Sequence, residues 1–448
     1  MKKRILSVIL TLLIAFSFIS CKGKGKTVFY DKNGNSFADI QDLSKVKNSV
    51  KDESQLSYLQ IAVDEAVEII MKKNKCNSKK AKKLLSRGYK VYTSFDSDVY
   101  GEIKAHYKDV FLDNASMGCA VTDLNGNLIS CISSEKENHV TKKNNPYSAF
   151  KPLSVYAPAI EENLICWSDT FVDSPYKKIK GENGENSDWP RNANGNYLWK
   201  EVCVCDAIKK SLNTVAVKCL DNLGVNKSIG FLQKNFSISL EAEQKKATVY
   251  GNQEIIGNIA LGYINEGCSP LDMAGYYQIF ANGGLYTKPH AVTKICDSKG
   301  KTVYKYSGTP KRVIKETTAY IMNGLLQGVV KGGGTGFAAH ISGVPVGGKT
   351  GTGVQNDGNW FVGFTPQYVC SVWHSENMGK NSSPEIFSAV MKAIISKCGD
   401  KTIGYPVANG IRQEAFCKDS GKLIRYNCRA MDTGYYVPEK IPGTCNIH

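Results

Sequence analysis

Three apolar runs between residues 344 and 373 restrict most what this chain can become. Residues 344–353, 359–364 and 368–373 read as strands, and only short connections separate them. A parallel pair needs a crossover of a dozen or more residues, so these strands must pair antiparallel. A second pairing signal lies upstream. Asn125-Gly126 sits between the apolar runs 118–123 and 127–133, and Asn-Gly accommodates the positive φ of a tight hairpin. Helical spacing marks other stretches. Leu56, Leu59, Val63, Ala66, Val67 and Ile70 share one face, which predicts a helix over 54–73. Further helices are expected from 78, over 151–162, from Ser211 to Leu223 with Gly224 as the stop, and over 270–282, 316–330 and 384–397. Residues 167–200 are rich in Gly, Asn, Lys and Asp and read as a long surface loop.

The N-terminus bears on the compartment. Lys2-Lys3-Arg4 precedes sixteen uncharged residues, Ile5 to Ser20. That is a basic region followed by an apolar one, as in an export signal, and it is shorter than the ~20 residues of a membrane span. It ends Phe18-Ile19-Ser20-Cys21, similar to a bacterial lipobox with Phe where Leu is usual. Cys21 is then a lipidation candidate, or the segment stays as an uncleaved anchor. Both readings put the remainder on the outer face of a bacterial cell membrane. The net charge of +16 fits a polyanionic neighbour such as a cell wall or membrane face. The densest run, Lys72 to Lys83, reads as solvated helix ends, and no nucleic-acid partner is expected. Fifteen cysteines suit an exported protein better than a cytosolic one. Cys203-Val204-Cys205 lacks a second half-site for zinc. None of His106, His139, His290, His340, His374 and His448 is read as a metal ligand, and neither metal nor cofactor is expected.

The chemistry-bearing residues form an ordered set. Ser148 and Lys151 are three apart, so a helix there puts both on one face. A lysine kept neutral by burial can take the serine's proton. Ser211-Leu212-Asn213 follows, and then Lys349-Thr350-Gly351-Thr352 on an expected strand. Ser-x-x-Lys, Ser-x-Asn and Lys-Thr-Gly in this order mark serine acyl-transfer enzymes. Gly343 to Thr350 also satisfies the Walker A pattern, but that loop must open a helix. Here a glycine-rich β-type run follows, so no nucleotide is expected. Tyr250-Gly251-Asn252 mimics a Tyr-x-Asn element, with less matching context than Ser211-Leu-Asn.

The context of these motifs resembles the transpeptidase domain of class A penicillin-binding proteins. The matching stretches are Ser211-Leu-Asn-Thr-Val-Ala-Val-Lys with Leu220-Asp-Asn-Leu-Gly224, Ala260-Leu-Gly-Tyr, Ser269-Pro-Leu-Asp-Met-Ala, Phe280-Ala-Asn-Gly-Gly, Asn359-Trp-Phe-Val-Gly-Phe-Thr-Pro, Cys417-Lys-Asp-Ser-Gly-Lys and Thr433-Gly-Tyr-Tyr-Val-Pro. The resemblance implies an α+β fold of the penicillin-binding and serine β-lactamase type: a central antiparallel sheet flanked by helices, plus a helical lobe. It implies an anchor or signal at 1–21, a stalk at 22–88, a transpeptidase domain at 89–412 and a Cys-containing tail at 413–448. Ser148 would be the nucleophile, Lys151 its base, Ser211 a proton relay, Asn213 a substrate-amide contact and Lys349 the source of positive potential. Thr350 and Thr352 would bind a carboxylate, and Gly351 would let substrate backbone lie against the strand. The N–H groups of Ser148 and Thr352 would make the oxyanion hole. The implied activity is D,D-transpeptidation of peptidoglycan stem peptides, with β-lactams as competing ligands. A D,D-carboxypeptidase or β-lactamase, or a non-catalytic β-lactam sensor or cell-wall scaffold, is the alternative. Tyr30-Asp-Lys-Asn-Gly resembles the stretch before the family's glycosyltransferase domain, and Asp64-Glu65-Ala66-Val67 the stretch after it. Too little chain lies between for that domain, so a separate glycosyltransferase partner is expected.

Overall fold

A computed structural model describes residues 25–46, 55–106, 116–134, 137–180, 185–236, 238–250, 252–353, 358–375, 382–398 and 404–448. Cys21 and the apolar N-terminal segment lie outside the described residues. Among those described, no helix is long and apolar enough to cross a membrane.

The chain forms two compact units. The first comprises the described residues up to Ser97 together with His290–Ser307. Its five-stranded sheet runs Thr302–Lys305, Val292–Cys296, Lys90–Thr93, Thr27–Tyr30, Ser36–Ile40. Helix Leu56–Asn74 buries the expected face, including Leu59, Val63, Val67 and Ile70. Its Glu65 carboxylate accepts from the backbone N–H groups of Ala291 and Val292, at 2.6 and 3.1 Å. The expected boundary at 88/89 therefore does not separate two bodies. Lys90–Thr93 pairs with Thr27–Tyr30 on one side and Val292–Cys296 on the other.

The second unit, Asp98–Pro289 with Gly308–His448, holds the antiparallel sheet. Its strands are β1 (Met117–Asp123), β2 (Leu128–Ser133), β3 (Gly347–Thr352), β4 (Asn359–Phe364) and β5 (Tyr368–His374), in the order β3-β4-β5-β1-β2. The expected hairpin forms between β1 and β2, with Gly126 at φ 82°. Relevant helices are α1 (Val204–Lys209), α2 (Asn213–Leu223), α3 (Pro270–Ala281), α4 (Glu316–Val330) and α5 (Ser383–Cys398). Phe361 and Phe364 lie three apart on β4 and so face opposite sides. Phe361 meets Phe387 of α5 at 4.9 Å between centroids, and Phe364 meets Phe280 of α3 at 6.5 Å. Helices thus cover both faces, while β3 is an edge strand. Its backbone stays extended through Lys349 to Thr352, unlike the helix opening a Walker A loop requires.

Two expectations fail locally. Residues 167–200 are not simply a surface loop. They contain the strands Thr170–Val172, Lys177–Lys180 and Asn186–Trp189, and they bury Asp173 and Asn192. The tail is not a separate segment either. Its strands β6 (Arg412–Cys417) and β7 (Met431–Tyr436) pair antiparallel and belong to the second unit. The Tyr436 hydroxyl donates to Ser168 Oγ at 2.9 Å, and Ser168 Oγ donates to the Gly421 carbonyl at 2.5 Å.

Candidate active site

Ser148 lies on a single 3₁₀ turn, Tyr147–Phe150, rather than at the start of an α-helix. Lys151 N–H donates to the Ser148 carbonyl. Side chains three apart eclipse in this geometry, so Ser148 and Lys151 are aligned more directly than an α-helix would align them. Pro152 then has no N–H to give, and a π-helical turn, Pro152–Tyr156, follows. It closes through Ala157 N–H to the Pro152 carbonyl before regular helix begins at Ala157. Tyr147, just before the serine, takes φ 48°, which is uncommon for a bulky side chain. The turn is pinned from several sides. Trp360 Nε1 donates to the Asn145 carbonyl at 2.8 Å, the Tyr277 hydroxyl donates to the Ala149 carbonyl at 2.5 Å, and Tyr147 N–H donates to the Gly262 carbonyl at 3.2 Å. A Cβ on Gly262 would lie 2.2 Å from the Tyr147 carbonyl oxygen, which explains the glycine in Ala260-Leu-Gly-Tyr.

Lys151 is fully buried. Its Nζ donates to Asn213 Oδ1 at 2.6 Å and to the Ser211 carbonyl at 2.9 Å, with Ser211 Oγ at 3.5 Å. Burial, then the nearby Lys349 charge, holds Lys151 well below the usual lysine range. Lys349, on β3, is also fully buried, and burial lowers it to about 7. Its Nζ donates to Ser211 Oγ at 2.8 Å. Ser211 Oγ therefore sits between two buried amines, each of which burial biases toward the neutral form.

Ser211 does not open α2. It takes φ 59°, and the helix begins at Asn213. The α1 end explains this: Ser211 N–H donates to the Ile208 carbonyl and Leu212 N–H to the Ala207 carbonyl, which turns the chain before α2 starts. Asn213 N–H then donates to Asn192 Oδ1 at 2.8 Å. Asn192 Nδ2 donates to Asp173 Oδ1 at 2.8 Å, and Asp173 also accepts from Thr214 Oγ1 at 2.6 Å and from Leu198 N–H at 2.9 Å. Asp173 and Asn192 thus position the start of α2, and the sequence reading missed both.

Gly351 has a different neighbour from the one expected. A Cβ there would come within 2.5 Å of the Pro146 carbonyl oxygen and 3.1 Å of Ala149 N. Its bare backbone admits the turn that carries Ser148. Thr350 Oγ1 is 2.8 Å from Thr335 Oγ1, which brings the Gly332–Gly336 loop to the strand. Thr335 was also missed. Thr352 is exposed at the end of β3. Tyr250 and Asn252 lie at the adjoining ends of helices Glu241–Tyr250 and Asn252–Leu261.

Cys417, Cys445 and His448 bring their ligating atoms within 4.8 Å of one another, and Cys428 packs with the two cysteines. The spacing Cys445-x-x-His448 was the available signal.

Residues 108–392 match the model described as the penicillin binding protein transpeptidase domain. Penicillin-binding protein 1A of Clostridium acetobutylicum is 37% identical over 256 residues, which is 55% of this chain and 30% of that protein. Penicillin-binding protein 4 of Bacillus subtilis is 31% identical over 304 residues, 65% of this chain and 45% of that protein. The chain thus spans less than half the length of these curated relatives. Among solved structures, the D,D-transpeptidase domain of a peptidoglycan glycosyltransferase from Eggerthella lenta superposes with a TM-score of 0.64 at 17% identity, covering 84% of this chain and all of that one. Penicillin binding protein 3 from Mycobacterium tuberculosis, complexed with aztreonam, superposes with a TM-score of 0.63 at 15% identity, covering 86% and 99%.

Proposed function

Because the chain belongs to the penicillin-binding protein transpeptidase family, we propose that it is a serine D,D-transpeptidase that cross-links peptidoglycan stem peptides and is acylated by β-lactams. The observation that carries this reading is the meeting of three distant motifs: Lys151 reaches Asn213 across 62 residues of sequence, and Lys349 reaches Ser211 across 138.

Ser148 Oγ attacks the carbonyl of the penultimate D-alanine, and its proton passes to neutral Lys151. The developing oxyanion is held by the N–H groups of Ser148 and Thr352. The C–N bond breaks, and the proton reaches the leaving D-alanine amine through Ser211. An acceptor amine then attacks the ester, the Ser148 C–O bond breaks and the proton returns to the serine. A substrate carboxylate arriving beside Lys349 favours its protonated form against the bias of burial, and Thr350 and Thr352 donate hydroxyls to the same carboxylate. Asn213 holds the donor amide. The edge position of β3 suits an extended peptide laid alongside it. The glycan strands are polymerised by a separate glycosyltransferase, a reading supported by the short stretch between Gly34 and Asp64. The chain is held at the outer membrane face through its N-terminus, as a lipoprotein on Cys21 or by an uncleaved anchor.

With a chromogenic β-lactam, one equivalent of colour should appear in a burst, followed by slow release. Rapid continuous turnover would instead identify a hydrolase. Gly351→Ala should slow acylation about 10²-fold, since a displacement near 1 Å of a reacting group costs that much. Stopped-flow acylation rates check this, and an unchanged rate would mean that the turn yields freely.

A further inference from the structure

The tail brings a second reactive cluster together in the same unit. Cys417 ends β6, and the chain doubles back so that Gly421 N–H donates to the Cys417 carbonyl at 2.8 Å. Cys445 N–H donates to the Leu423 carbonyl at 2.8 Å, and Cys428 N–H to the Arg425 carbonyl at 3.1 Å. Three chain passes thereby converge. Cys417, Cys428 and Cys445 form a buried cluster of their own, all three as free thiols. One ring nitrogen of His448 lies with the Cys417 and Cys445 sulfurs inside a 4.8 Å limit. Thiolate ligands around tetrahedral zinc, each at about 2.3 Å, stand roughly 3.8 Å apart, so little movement is needed to close this set on an ion.

Two outer contacts fit the same purpose. His448 Nε2 is 3.2 Å from Asp419 Oδ2, the carboxylate–imidazole pairing that orients metal-bound histidines. Arg425 N–H donates to Cys428 Sγ at 3.3 Å, which fixes the direction of that sulfur. A disulfide would use two of the three sulfurs and leave the third buried beside an imidazole.

We propose that Cys417, Cys428, Cys445 and His448 form a closed structural Cys₃His site for one zinc ion, which clips the tail. The clip acts on what the tail holds. Lys418, next to Cys417, bridges to Asp206 of α1 at 2.8 Å. Tyr435 packs on Trp167 and on Tyr320 of α4, each at 5.2 Å between centroids. Cys203, Cys205 and Asp206 form another close group, but three short-spaced ligands with no fourth among the described residues make a poorer site.

The untagged full chain, purified without chelator, should carry one equivalent of zinc by elemental mass spectrometry. Replacing it with Co²⁺ should give the thiolate-to-cobalt charge-transfer band and the intense visible bands of a tetrahedral sulfur-rich site. Cys428→Ser and His448→Ala should weaken or shift those bands, and Cys205→Ser should not. Removing zinc from the unaltered chain with a chelator should lower its thermal midpoint, and added Zn²⁺ should restore it. Less than half an equivalent of metal, or a disulfide between any two of these cysteines by non-reducing peptide mapping, overturns the proposal. So does a cobalt spectrum indifferent to both variants. Penicillin labelling of Ser148 is a separate readout, so failure of the metal site leaves the transpeptidase reading standing.

Discussion

Ser148→Ala is expected to leave the chain folded and unable to take up penicillin covalently. Intact-protein mass spectrometry of the unaltered chain should show one adduct, mapped to the peptide containing Ser148, and the variant should show none. Turnover should fall on the order of 10⁶-fold, the scale found when a serine nucleophile is removed. The side chain is only partly buried and one hydroxyl is lost, so the thermal midpoint should hardly move. An adduct that persists in the variant would transfer the nucleophile's role to another residue. Unchanged cross-linking in cells carrying only the variant would favour a scaffold.

Lys151→Met should separate chemistry from packing. The methionine fills the same buried channel without the amine. Acylation should slow by about 10²–10⁴-fold, the usual contribution of a positioned general base. Asn213 Oδ1 and the Ser211 carbonyl each lose a donor, a cost of about 1–3 kcal/mol per buried group, while burying an amine is no longer required. Net stability should therefore change little. The pH profile gives the sharper test. Lys151 is held below its ordinary value of 10.5, so the neutral base grows in as pH rises through that lowered value, and acylation should climb with it. In Lys151→Met that climb should vanish. Persistence of the same limb would assign the titration to a different group, with Lys349, lowered to about 7, the first to examine.

The sheet was legible because strand connections too short for a crossover leave few pairings. The three motifs that the structure brings together at Lys151, Ser211, Asn213 and Lys349 were legible because each carries its residue types at fixed local spacing. What escaped depends on distances that spacing does not encode. The polar composition of 167–200 gives no hydrophobic period, so nothing in it signals that Asp173 and Asn192 are buried under α2. Thr335 lies in a glycine-rich loop whose partner, Thr350, is set by tertiary folding. Gly351 is legible as a bare stretch of strand, but its close neighbour, the Ser148 turn, is set by tertiary folding. The tail holds no Cys-x-x-Cys pair, and Cys445-x-x-His448 stands alone in the sequence because only β6 and the following turns bring Cys417 and Cys428 to it.

The first unit's sheet has a consequence for the order of synthesis. Lys90 of one strand pairs with Cys296 of its neighbour, and those residues are made 206 positions apart. At about 5–20 residues per second, that gap lasts roughly 10–40 s. Until then Lys90–Thr93 waits with one edge bare, a ready template for pairing with another chain. Truncated or stalled chains that stop before residue 292 should therefore self-associate through this strand, whereas chains extended past Lys305 should not.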